Sequence, residues 1–145
     1  MSKASLPMLV KAYELSPKKQ SIAYQLAAAY SAEGQKDKAE SLLKDTYESE
    51  TSNTQAKQAY VIILISNGKE ADARKMFGDD ASMFDNTSVA STYMSLKQYD
   101  KAIALYKKLA LANPKDVNVR AAVASACLLY TSDACLLYTS DAADE

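Results

Sequence analysis

Asp79 and Asp80 stand side by side, and adjacent carboxylates can share a proton or hold a hard cation such as calcium. They follow Gly78, where a turn uses acids to bond its own backbone, so a structural role is the expectation. Lys18-Lys19 and Lys107-Lys108 are basic pairs that could neutralise phosphates. Each is isolated and balanced by acids, without a basic stripe interleaved with aromatics, so solvated surface is expected and nucleic acid is not. Tyr30, Tyr93 and Tyr106 fall on packing positions rather than on a stacking platform. Met76, Met83 and Met94 read as gap-fillers of a core.

What is missing excludes more chemistry than what is present. The chain has no His, so no Ser-His-Asp or Cys-His pair can be assembled. Its three Gly are scattered, so no phosphate-cradling loop exists. Both Cys, Cys127 and Cys135, lie near the C-terminus, and no Cys precedes them to suggest a thiolate metal site. No catalytic residue, cofactor or metal is expected.

The C-terminal segment differs in kind from the rest. CLLYTSDA occupies 127–134 and returns unchanged at 135–142, followed by ADE. An identical octapeptide in tandem shows none of the drift of natural repeats. CLLYTS can be encoded by TGT CTC TTA TAC ACA TCT, which resembles the transposon-end adaptor of a sequencing library. Residues 127–145 are therefore read as translated adaptor, and no function is assigned to them. They carry Asp133, Asp141, Asp144 and Glu145 among 18 acidic residues, leaving 14 acids against 17 bases, a net charge of +3, in residues 1–126.

Low Gly and Pro counts of three each, with 48% hydrophobic residues, favour long helices over sandwiches or barrels. The longest apolar run, Tyr60–Ile65, is far short of the ~18 residues that span a bilayer. No targeting segment is visible at the N-terminus. The expected location is the cytoplasm, with an upstream leader left open.

Three segments align without gaps: GQKDKAESLL from Gly34, GKEADARKMF from Gly68, and KQYDKAIALY from Lys97. Each has Ala at its sixth place (Ala39, Ala73, Ala102) and a large apolar residue at its tenth. Ala39 and Ala73 are 34 residues apart, Ala73 and Ala102 only 29. Before each block, apolar residues recur at the three- and four-residue steps of a helix, closing on Tyr30, Leu64 or Tyr93. The pattern predicts repeated helical hairpins. Leading helices are expected over 20–33, 53–66 and 85–96, with turns at Gly34, Gly68 and Lys97. Trailing helices are expected over 36–48, 69–77 and 99–112. Ser16-Pro17 and Asn113-Pro114 break the chain between hairpins. Small Ala at the repeated place marks close helix–helix approach, and one hairpin cannot bury its own apolar face, so neighbours must stack.

These positions resemble the tetratricopeptide repeat, whose period is 34 residues. Leu26, Ala27, Tyr30, Ala39 and Leu43 fit a first complete unit. Gly68, Ala73 and Phe77 fit a second. Val89, Ala90, Tyr93, Ala102, Tyr106 and Pro114 fit a third. The family's leading-helix Trp is absent, and Gly78-Asp79-Asp80 cuts the second unit short, so the superhelix should be irregular there.

The resemblance implies an all-α, right-handed α-solenoid of antiparallel hairpins, with about eight helices. The organisation expected is a trailing helix alone over 1–19, repeat 1 over 20–53, a short repeat 2 over 54–82, repeat 3 over 83–116, and a leading helix alone over 117–126. Both ends look cut, so a fragment of a longer array is expected.

Fold analogy further implies a non-catalytic scaffold that binds a protein or peptide. The alternative is a module of a larger enzyme or of a secretion or envelope assembly protein. Some family members grip a C-terminal carboxylate with Lys and Asn. Tyr24, Ala28, Gln58, Ile62, Thr87 and Ser91 occupy that pattern and supply neither, so this clamp is absent. Family geometry places Tyr24, Gln25, Gln58, Ile62, Ile65, Thr87, Ser91 and Met94 on the concave face, with Phe84 near the rim. These side chains are uncharged, which suits a mostly uncharged segment.

Overall fold

The computed structural model describes residues 5–130. Among them are eight α-helices, a single 3₁₀ turn and no strand. The helices are α1 (Ser5–Leu15), α2 (Gln20–Ala32), α3 (Lys36–Ser49), α4 (Thr54–Ser66), α5 (Glu70–Phe77), α6 (Thr87–Ser95), α7 (Tyr99–Ala112) and α8 (Val117–Tyr130). The chain divides into two compact units, one ending at Met76 and one beginning at Phe77. In the first, α1 packs on α2, α2 on α3 and α3 on α4. In the second, α6 packs on α7 and α7 on α8.

The three hairpin turns share one backbone device. A helix of L-residues ends cleanly when the residue after its cap enters the left-handed region, so that two amides turn back to the last carbonyls. Gly34 and Gly68 hold φ at 77°, and Lys97 holds it at 60°. The next residue then donates back across the turn: Gln35 N–H to Tyr30 O at 2.8 Å, Lys69 to Leu64 at 2.8 Å, and Gln98 to Tyr93 at 2.9 Å. The accepting residues are the three that close the apolar runs in sequence. Two turns use Gly, which carries no Cβ penalty there, and the third uses Lys.

Side-chain caps set the starts of α4, α6 and α8, whereas α2, α3 and α7 begin without one. Asn53 Oδ1 accepts from Ala56 N–H at 3.0 Å, and Asn86 Oδ1 accepts from Val89 N–H at 2.9 Å. Asp116 Oδ1 accepts from Asn118 and Val119 N–H ahead of α8. These caps shift two sequence-derived boundaries. Asn53 precedes α4 instead of opening it, and α6 begins at Thr87 rather than Asp85. Asp80 takes the role expected of a turn acid, accepting from Ser82 N–H at 3.1 Å to start the 3₁₀ turn Ala81–Met83.

Ala39, Ala73 and Ala102 are each 0% exposed. A larger side chain at these places would push helices apart in an interior packed as densely as a crystal. Around them, Leu26, Leu43 and Val61 fill the first unit, and Val89, Tyr93 and Val123 the second. Met83 is buried as a gap-filler should be, but Met76 is half exposed at the end of the short α5 and fills no gap. Tyr30 and Tyr93 each carry a lysine over the ring, Lys38 at 5.6 Å and Lys101 at 5.7 Å, eight residues on in both hairpins. α8 continues to Tyr130 with Cys127 buried and Leu128, Leu129 and Tyr130 exposed. The rest of the segment read as adaptor lies outside the described residues.

Candidate functional site

In a stacked hairpin array a leading helix buries one stripe against trailing helices and presents another outward. α2 and α4 are leading helices of the first unit. Tyr24 on α2 is half-buried and Gln25 is exposed; Gln58 and Ile62 on α4 are half-buried. Ile65 is buried at 1% exposure and offers no surface. It closes the run Val61–Ile65, which is apolar on every side of the helix, and only Ile62 in that run reaches the surface.

A polar network fixes the start of this face. Tyr24 OH donates to Gln20 Oε1 at 3.4 Å, which also accepts from Asn53 Nδ2 at 2.8 Å. Gln20 Nε2 donates to Glu50 Oε2 at 3.0 Å. The first residues of α2, the residue ending α3 and the cap of α4 are thereby tied together, and Tyr24 is oriented by its phenol. Burial, then the Glu50 charge, pushes the Tyr24 phenol above its ordinary pKa, so it stays a neutral donor at physiological pH. Beside the network opens a cleft of about 360 Å³ lined by Tyr13, Lys18, Gln20, Asp45, Ser49 and Glu50, among others. Nothing in the sequence immediately around Glu50 marks it or its partners for this face. The 33-residue spacing of Gln20 and Asn53 is the signal that finds them.

A second clasp lies at the other end of α4. Lys69 Nζ sits 2.8 Å from Glu40 Oε1, and Asn67 Nδ2 donates to Glu40 Oε2 at 3.0 Å. Burial opposes ionisation of Glu40, but the hydrogen bonds from Lys69 and Asn67 and the charges of Lys69 and Lys44 win, holding its carboxyl below the usual range. The hydrogen bond and charge of Glu40 raise the Lys69 amine in turn.

In the second unit, α6 presents Thr87 and Ser91 exposed and Met94 half-buried. Phe84 is 3% exposed, packed beside the 3₁₀ turn rather than placed at a rim. Lys108 Nζ pairs with Asp85 Oδ2 at 2.7 Å just ahead of α6. Among the described residues, no group of three or more His, Cys, Asp or Glu is placed to hold a metal ion, and no helix is long and apolar enough to cross a membrane.

A search of curated proteins finds no match to the chain. A family model described as a tetratricopeptide repeat matches residues 4–130.

Proposed function

The chain belongs to the tetratricopeptide-repeat family, and from that membership we propose that it is a non-catalytic scaffold that holds a protein or peptide on the outward faces of its leading helices. Such repeats generally mediate protein–protein interaction. We read 20–53, 54–82 and 83–116 as its repeats. In the first unit the contact residues are Tyr24, Gln25, Gln58 and Ile62; in the second they are Thr87, Ser91 and Met94. Ile65 and Phe84 support these surfaces from within.

The observation that carries the reading is Tyr24. A large amphipathic side chain stands half-buried on a leading helix, with its hydroxyl tied to Gln20. Interface energy concentrates in such preorganised aromatics. Gln25 and Gln58 offer amide hydrogen bonds to an extended main chain, and Ile62 an apolar contact.

The test uses a partner captured by pull-down, with Tyr24→Ala and Ile62→Ala measured by calorimetry at two salt concentrations. Each truncation is expected to cost about 2 kcal/mol or more if it is a dominant contact. The contact side chains carry no charge, so affinity should change weakly with salt. Unchanged affinity in both variants, or a steep loss with salt in the wild type, would remove this reading of the helix faces.

A further inference from the structure

The turn between α4 and α5 carries a reactive pair, Asn67-Gly68. A deprotonated backbone nitrogen can attack the side-chain amide of the Asn before it, and glycine leaves that nitrogen unscreened because it has no Cβ. The chain has five Asn. Asn53, Asn86 and Asn118 precede the β-branched Thr54, Thr87 and Val119, which crowd the approach, and Asn113 precedes Pro114, which has no N–H to lose. Only Asn67 precedes glycine. Gly68 is exposed, and beyond its chain neighbours no atom lies within 4 Å of the place a Cβ would take, so water reaches the pair.

The closed turn holds the reacting groups apart. Asn67 has ψ at 8°, which sets the Gly68 nitrogen in line with the backbone nitrogen of Asn67 rather than beside its Cβ, where a ring to Cγ could close. The Gly68 N–H is engaged, donating to Ile65 O at 3.0 Å. Asn67 Nδ2 donates to Glu40 Oε2 at 3.0 Å and to Lys36 O at 3.3 Å, which fixes the side-chain amide against α3.

We propose that Asn67-Gly68 is a hydrolytic deamidation site controlled by the opening of its hairpin, and that the acid formed there stops the hairpin from closing again. When the turn opens, Gly68 N loses its proton to solvent and attacks Asn67 Cγ. The N–Cγ bond forms, the Cγ–Nδ2 bond breaks, and Nδ2 takes a proton from solvent and leaves as ammonia. Water then opens the succinimide. Cleavage at Cγ leaves an aspartate in the original main chain; cleavage at the main-chain carbonyl leaves an isoaspartate, whose backbone runs through Cβ. Neither product fits the closed turn. One carboxylate oxygen would stand where Nδ2 stood, against Glu40 Oε2 and Lys36 O, which are both acceptors. The other would take the place of Oδ1, which is buried without a donor. A charged oxygen in either place is repelled or unpaired. The isoaspartate also lengthens the backbone inside the turn that Lys69 N–H closes on Leu64 O at 2.8 Å. None of this rests on what the leading-helix faces bind.

The full chain held at mildly alkaline pH, once folded and once unfolded in urea, tests this, with conversion at each Asn followed by peptide mass spectrometry. In urea Asn67 should convert ahead of the other four. In the folded chain its rate should fall by the factor that protects the Gly68 amide from deuterium exchange, since one opening exposes both. Glu40→Gln removes the charge that Asn67 and Lys69 hold. It should raise both folded-state rates together by about two- to fivefold, as the loss of an exposed ion pair allows, and leave the rate in urea unchanged. Asn67→Asp reproduces one product and should speed exchange of the Lys69 amide by about fivefold or more, while the Gln98 amide of the next hairpin keeps its rate. Five results would each overturn the site: another Asn converting first in urea; a folded rate that departs from Gly68 protection by more than about tenfold; a Glu40→Gln chain that converts as slowly as the wild type when folded; an Asn67→Asp chain whose Lys69 amide exchanges as in the wild type; or an equal gain at Gln98.

Discussion

Lys97→Gly should stabilise the protein. Lys97 occupies the left-handed region at φ 60° in a turn whose two counterparts are glycines at 77°. Holding an L-residue there costs about 1–2 kcal/mol, because its Cβ crowds the following carbonyl. Glycine removes that cost but loses about 0.4–1 kcal/mol through the greater freedom of the unfolded chain. The net gain is about 0.5–1 kcal/mol, which for a chain of this length is a rise of roughly 1–4 °C in the midpoint of thermal unfolding. No interaction offsets it, since the Lys97 side chain is exposed and enters no described hydrogen bond or ion pair. Gly34→Ala and Gly68→Ala supply the mirror experiment. A Cβ built at either position meets nothing within 4 Å, so the backbone angle alone sets the outcome. Each should lower stability by about the amount that Lys97→Gly raises it. Urea and thermal denaturation followed by circular dichroism measure all three. A Lys97→Gly midpoint equal to or below that of the wild type, beside a clear loss in Gly34→Ala, would refute the argument that the angle governs this turn.

Ala102→Leu, at a site with no exposed area, should cost about 1–3 kcal/mol through overpacking, and an unchanged midpoint would remove the close-contact reading of that position. Glu40 titrates below the usual carboxylate range when folded, so its contribution is present above the unfolded pKa and is lost as pH falls through the folded one. Glu40→Gln should therefore destabilise at pH 7 by a few tenths of a kcal/mol to about 1, as exposed ion pairs do, and make little difference near pH 2; a constant difference across that range would show that charge is not the cause.

The parts of this fold that were legible in sequence are those where one residue type has one physical use. Ala39, Ala73 and Ala102 marked helix contacts because a small residue amid long ones has little other reason to recur. Gly34 and Gly68 marked left-handed turns, and the aligned block carried that assignment to Lys97 despite its Cβ. Less was visible where several side chains of one kind compete. Val61 to Ile65 offers apolar residues around the whole helix, so periodicity could not tell Ile65, inside, from Ile62, at the surface. Phe84 follows a 3₁₀ turn only three residues long, held by Asp80 and by the Asp85 N–H to Ala81 O bond at 2.8 Å, too short a motif to carry a periodic signature. Glu50 joined the site through Gln20 and Asn53, a set made adjacent by stacking rather than by spacing along one helix.

The repeated turn also gives each hairpin its own clock. The amides of Gln35, Lys69 and Gln98 sit at the same structural place and are held by bonds of nearly equal length, 2.8, 2.8 and 2.9 Å. An amide so placed exchanges with solvent deuterium when its hairpin opens, and helical repeats open in cooperative pieces rather than all at once. Three chemically similar probes, one per hairpin, turn exchange rates into a ranking of local opening free energies along the chain. The hairpin ending in the eight-residue α5 has the fewest trailing-helix residues to hold its turn shut, while the Glu40 bonds to Asn67 and Lys69 hold it closed, so the Lys69 rate weighs helix length against that clasp.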